Sequence, residues 1–152
     1  MSRKLLIVLA AGGSAALLLG AFAFQHLGGL APCKLCIWQR YPHVAAIALG
    51  ALALFVPLPA FLALGALAAL GTAAVGGFHV GVEQGWWDGP TTCSSAPVDS
   101  LDPGALFDQI MAAPLVRCDE IAWQLAGISM AGWNMLISLV LAGLWLTALR
   151  AR

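Results

Sequence analysis

"ALGALALFVPLPAFLALGAL", residues 48–67, holds two apolar runs joined by Pro57, Leu58 and Pro59. Proline lacks the backbone N–H that a helix interior needs, so the run breaks there. So short a connection turns the chain straight back, and the two runs become antiparallel neighbours. Followed outward, each run is long enough to cross a bilayer. A span takes roughly 20 apolar residues, because a helix rises about 1.5 Å per residue through a hydrocarbon core of about 30 Å. The two spans read this way cover residues 37–56, with an impure start, and 60–80.

Two more runs of that kind cover residues 5–24 and 128–149. The chain of 152 residues is 61% hydrophobic and 9% charged. A soluble domain carries about 25% charged residues, so water-soluble function classes are excluded and the lipid bilayer is the expected solvent. The expected fold is all-α: an integral membrane four-helix bundle forming a single domain over residues 1–152. Its loops cover residues 25–36 and 81–127.

Charge placement orients the bundle. All seven acids lie between the third and fourth spans (Glu83, Asp88, Asp99, Asp102, Asp108, Asp119 and Glu120). Arg3 and Lys4 precede the first span; Arg150 and Arg152 follow the last. The positive-inside rule then places both termini in the cytoplasm. An even number of spans agrees. Lys34, Arg40 and Arg117 fall on the outer side against the rule, which points to local tasks for them. "MSRK", an apolar run and "AFA" at residues 21–23 are similar to a signal peptide. The run exceeds the usual 7–15 residues, so an uncleaved anchor is expected.

Helices in lipid approach closely where their residues are small. Gly12, Ala16 and Gly20 make one such stripe; Gly65, Ala69, Ala73 and Gly77 make another. In the long outer loop, "DPGALFDQIMAAP" (residues 102–114) has Asp102 as N-cap, Pro103 at the first position and Pro114 as the stop. Leu106, Phe107, Ile110 and Met111 share one face, which suits a short helix lying on the membrane surface. Trp86, Trp87 and Trp123 flank the outer ends of spans, as aromatic belt residues do.

Every cysteine falls on the outer side: Cys33, Cys36, Cys93 and Cys118. In a bacterial inner membrane that side is the periplasm, where thiols oxidise. An even count there points to disulfides. A zinc cage is the rival, but zinc sites usually pair two short knuckles, and only one is present. A structural bridge suits a long loop holding Cys93 and Cys118. It suits Cys33 and Cys36 poorly, because a C-x-x-C bridge closes a tiny loop. That spacing is more often redox-active or metal-binding.

The stretch "APCKLCIWQR", residues 31–40, opens the second span. Pro32 fits a first helical position, which puts both cysteines in the first turn. A helix N-terminus favours a thiolate. Steps of three and four place Cys33, Cys36, Arg40 and His43 on one face. Arg40 can then stabilise a thiolate or bond a polar head group held beside it. Pro42 stands in the way, since it removes a backbone bond and can kink the span.

"PCKLCIWQR" resembles the P-C-x-L-C-x-x-[QE]-R pattern of the DsbB family of disulfide bond formation proteins. The loop pair Cys93 and Cys118 and the stretch "CDEIAWQLAGISMAGW" (residues 118–133) are similar to that family too. The resemblance covers essentially the whole chain. It implies a membrane thiol oxidase that re-oxidises a soluble DsbA-like periplasmic protein and passes the electrons to a membrane quinone, ubiquinone or menaquinone. By the family's pattern, Cys93 forms the mixed disulfide with the partner and Cys118 exchanges with Cys33. Cys36 is left as a thiolate facing the quinone, with Arg40 holding a quinone carbonyl. His79, near the outer end of the third span, is a further candidate for the quinone pocket. No nucleic acid and no resident metal are expected. Two alternatives differ in class: a vitamin K epoxide reductase-like enzyme, and a structural or zinc-binding membrane protein. The order of the cysteine pairs along the chain favours the first reading.

Overall fold

The computed structural model describes residues 1–56, 58–90, 111 and 116–151. Among the described residues, four long helices make the architecture. They are α1 (Arg3–His26), α2 (Lys34–Phe55), α3 (Pro59–Glu83) and α4 (Met130–Arg150). A two-residue hairpin, β1 (Gln124–Leu125) and β2 (Ile128–Ser129), precedes α4. The expected surface helix at residues 102–114 falls outside the described residues apart from Met111, as does Cys93.

Side-chain chemistry sets the helix starts. Ser2 caps α1 by accepting from the Leu5 N–H, and Ser129 caps α4 by accepting from the Gly132 N–H. Each satisfies a backbone donor that the first turn leaves open. Cys33 does the same for α2, its Sγ accepting from the Cys36 N–H at 3.2 Å. This corrects the expected start: Pro32 precedes the cap, and Cys33 is the cap itself. Pro59 starts α3, where the missing N–H costs nothing. Pro42 lies inside α2, and the helix runs unbroken through it.

The helices form a closed ring in which α3 packs on α2 and α4, and α1 packs on the same two. One core cluster includes Leu6, Ile7, Leu62, Ala69, Leu141 and Trp145. A second, at the other end of the bundle, joins Cys33, Leu35, Val82 and Cys118. The small-residue stripe of α3 faces its neighbours. A methyl group built on Gly65 would fall 2.8 Å from the Trp145 ring, and Ala69 is fully buried. The stripe of α1 does not. Gly12 and Gly20 have nothing within 4 Å of such a methyl, whereas Gly13 meets Leu141 at 2.5 Å. The close approach of α1 and α4 therefore runs one residue out of phase with the expected stripe.

α1, α3 and α4 are long and apolar enough to cross a membrane. α2 has the length, 22 residues, but its first turns carry Gln39, Arg40, Tyr41, Pro42 and His43. The hairpin before α4 turns through Ala126 (φ 53°) and Gly127 (φ 77°). Two successive positive φ values suit the right-handed twist of a two-residue hairpin. Alanine pays about 1 kcal/mol for that conformation. The turn brings Ser129 into position to cap α4.

Candidate functional site

The site begins at the start of α2. Cys33 Sγ lies 2.7 Å from Cys36 Sγ. Cys33 is 4% exposed and Cys36 is half-buried. The hydrogen bond that the Cys33 thiol donates to Cys36, and then burial, push the Cys33 thiol far above the usual thiol range. Burial disfavours the charged form, so Cys33 holds its proton at neutral pH. Cys118 is fully buried and packs in the same cluster.

His79 reaches this pair from α3. Its Nε2 lies 3.6 Å from Cys33 Sγ and 3.1 Å from the Cys118 carbonyl oxygen. Its Nδ1 lies 3.0 Å from Gln39 Nε2. An amide nitrogen can only donate and a carbonyl can only accept. The network therefore assigns the Nε2–H tautomer, with Gln39 donating to Nδ1 and Nε2 donating to Cys118.

The chain of polar groups continues into the bundle. Asn134 Nδ2 of α4 donates to Gln39 Oε1 at 2.7 Å and to Thr72 Oγ1 at 3.1 Å. The Thr72 hydroxyl donates to the Gln39 carbonyl at 3.0 Å. His43 Nε2 donates to Asn134 Oδ1 at 2.9 Å. Three helices are thus fastened to one another behind the thiols. Buried polar groups cost free energy unless paired, and here nearly every donor and acceptor of the network is used.

In front of the thiols lies a cavity of about 420 Å³. Its polar lining includes Cys33, Cys36, Arg40, His43, His79 and Glu83. Leu17, Phe24, Met130 and Ile137 are among its apolar walls. An apolar pocket of this size with a few convergent polar groups is the usual form of a small-molecule site. Arg40 is held in place by Gln25, whose Oε1 accepts from Nη1 at 2.7 Å. The Phe22 ring lies 5.0 Å from Cζ, within cation–π range. Arg40 Nε is buried without a hydrogen-bond partner among the described residues. A donor left open beside an apolar cavity is what a ligand oxygen would satisfy.

Cys33, Cys36, Arg40, His43 and His79 all line this one cavity. Pro42 leaves their common face intact. Gln39, Thr72, Asn134 and Glu83 were not singled out from sequence. The available signal was their polarity inside or at the end of apolar spans, where such residues are rare and functional. The sulfurs of Cys33 and Cys36 and a ring nitrogen of His79 lie within 4.8 Å of one another, a spacing a metal ion could also use. Geometry alone leaves thiol exchange and metal binding both open.

Residues 3–148 match the family model of the disulfide bond formation protein DsbB. The chain belongs to the DsbB family. It is 35% identical over 133 residues to disulfide bond formation protein B of Methylococcus capsulatus, covering 80% of this chain and 79% of that protein. The protein of the same name from Verminephrobacter eiseniae is 37% identical over 145 residues, covering 90% and 80%. That from Stutzerimonas stutzeri is 32% identical over 165 residues, covering 95% and 94%. No solved structure matches. Membership in the DsbB family makes the protein a multi-pass inner-membrane enzyme, a quinone-linked thiol oxidase that re-oxidises a DsbA-like partner.

Proposed function

We propose that Cys33 and Cys36 are the thiol pair that meets the quinone, and that Cys93 and Cys118 are the pair that meets the soluble partner. The observation that carries this reading is that Cys36 and Arg40 open on one apolar cavity while Cys33 lies back toward buried Cys118. In this reading α2 crosses with the other three helices. Both termini are cytoplasmic, and the thiol end of the bundle faces the periplasm. The polar first turns of α2 then sit at the membrane boundary, between a partner in water and an acceptor in lipid.

The residues fit a quinone. Apolar walls suit its ring and tail, and the open Arg40 Nε suits a carbonyl oxygen. When bound, the quinone supplies an acceptor for two electrons and two protons. Arg40 orients it and favours a thiolate at Cys36, one helical turn away. His79 closes the inner wall and holds the Cys118 backbone against Cys33.

The thiol steps are exchange reactions, in which a thiolate attacks a disulfide sulfur. The partner's thiolate attacks Cys93 of a Cys93–Cys118 disulfide and frees Cys118. Cys118 attacks Cys33 of the Cys33–Cys36 disulfide and frees Cys36. The partner's second thiol attacks its own mixed-disulfide sulfur and releases Cys93, which resolves the Cys33–Cys118 bridge by way of Cys118. The partner leaves oxidised, and Cys33 and Cys36 are left reduced beside the cavity.

Reduction of ubiquinone and menaquinone analogues by a reduced thioredoxin-like donor, with this protein as catalyst, tests the reading. Turnover that requires all four cysteines and is weakened by Arg40→Ala supports it. Turnover independent of Cys36 contradicts it.

A further inference from the structure

Glu83 is the last residue of α3, and its side chain is 5% exposed. The Ser129 hydroxyl hydrogen-bonds the carboxyl. Its Oε1 lies 3.9 Å from His79 Nε2. Its Oε2 is buried and has no hydrogen-bond partner among the described residues. A carboxyl held out of water with an unused oxygen is costly, and a bond to Ser129 alone would be served as well by glutamine. Glu83 lines the same cavity as Cys36 and Arg40.

The chemistry of that cavity needs a proton carrier. Closing Cys33 and Cys36 into a disulfide forms one S–S bond and removes two S–H protons. The electron pair goes to the quinone, and the protons must reach its oxygens. Bulk water has poor access, since Cys33 and His79 are each 4% exposed. His79 is committed at both ring nitrogens, one donating to the Cys118 carbonyl and one accepting from Gln39. Two unoccupied basic atoms remain among the described residues of the lining, Glu83 Oε2 and His43 Nδ1. His43 is tied to Asn134 two helical turns beyond Cys36, whereas Glu83 sits at the thiol end, its Oε1 3.9 Å from the His79 nitrogen that reaches Cys33.

We propose that Glu83 is the proton carrier of this site, taking the Cys36 proton onto Oε2 and releasing it to the acceptor oxygen in the cavity. The carboxylate becomes a carboxylic acid when Cys36 becomes a thiolate, and returns to carboxylate when the acceptor is protonated. Glu83 then relays the Cys33 proton to the second acceptor oxygen in the same way as the S–S bond closes. Two electrons and two protons thus leave the thiol pair, none is left over, and Glu83 ends as the carboxylate it began as. The charged and titratable groups around it are Cys36 and Arg40 from α2, His79 on its own helix, and Arg117 and Glu120 from the segment before α4. Ser129 faces it from the start of α4. This inference rests on the thiol-pair reading above.

The test uses full-length protein in lipid nanodiscs, as wild type, Glu83→Gln and Glu83→Asp. Quinone reduction by the pre-reduced protein is followed against pH. Glu83→Gln is expected to be slower by about 100-fold, the size of a general acid–base contribution. It should also lose the fall in rate at low pH that the wild type shows as the carboxylate is titrated, and Glu83→Asp should regain part of both. Separately, reduced-minus-oxidised infrared spectra are taken on quinone-free protein poised with dithiothreitol. A carboxylic acid band is expected in the reduced wild type, shifted in D2O, and missing in Glu83→Gln. A wild-type pH profile in Glu83→Gln, or a reduced wild type without that band, overturns the proposal. Glu83→Gln that is slow but keeps the wild-type pH profile overturns it too. Failure of the thiol-pair reading looks different: Cys36→Ser would then still reduce quinone.

Discussion

Cys33 Sγ lies 3.6 Å from Nε2 of His79, a residue 46 positions further along the chain. The contact joins the start of α2 to the C-terminal end of α3 and sets the thiol pair against the Cys118 backbone. It exists because the turn after α2 sends α3 back alongside it. The thiol end of the bundle is thus a consequence of helix topology, with the cysteines placed where α2 begins and α3 ends.

Arg40→Ala should leave the bundle folded and weaken quinone use. A hydrogen bond to a charged group is worth about 1.5–3 kcal/mol, so the KM for quinone should rise roughly tenfold to a hundredfold. Steady-state kinetics with a soluble quinone analogue checks this. An unchanged KM would remove Arg40 from the site.

Gln39→Leu should lower stability. The change strands His79 Nδ1 and takes from Asn134 Nδ2 one of its two acceptors, and a buried polar atom left without its partner costs about 1–3 kcal/mol. Thermal unfolding in detergent should show a lower midpoint. Asn134→Ala should behave similarly, and the double variant should cost less than the sum, because both remove the same network.

Glycine substitutions separate the two faces of the bundle. Gly65→Ala should destabilise by about 1–3 kcal/mol, since the added methyl meets the Trp145 ring. Gly12→Ala and Gly20→Ala meet nothing and should be neutral or stabilising by about 0.5–1 kcal/mol, the helix advantage of alanine. Unfolding midpoints of the three variants check the order.

Arg117 and Asp119 form an exposed pair beside Cys118, with Nε to Oδ1 at 2.9 Å. The Arg117 hydrogen bond holds the Asp119 carboxyl below its ordinary range. A depressed carboxylate stabilises the fold above its unfolded value, and that contribution disappears as pH falls through the folded value. Asp119→Asn should therefore differ from wild type at neutral pH and converge with it in acid. The pair is exposed, so the difference should be small and shrink in high salt.

The helices were legible because apolar runs of span length have few other solutions, and the Pro-Leu-Pro break set the pairing of α2 with α3. The face shared by Cys33, Cys36, Arg40 and His43 was legible for the same reason: helical steps of three and four survive translation into space. The packing stripe of α1 was not. In a chain so rich in alanine and glycine, Gly12 and Gly13 look alike, and only the position of Leu141 tells which one meets a neighbour. Gln39, Thr72, Asn134 and Glu83 stand far apart in sequence, and their meaning lies in contacts between helices. Their polarity within apolar runs was visible, but their partners were not.

The most direct measurement is the oxidation of pre-reduced protein by a quinone analogue in single turnover, compared between wild type and Cys36→Ser. The account predicts no quinone reduction by Cys36→Ser, while Cys93 of the same variant still forms a mixed disulfide with a thioredoxin-like partner when Cys93 and Cys118 start oxidised. Quinone reduction by Cys36→Ser at the wild-type rate would contradict it.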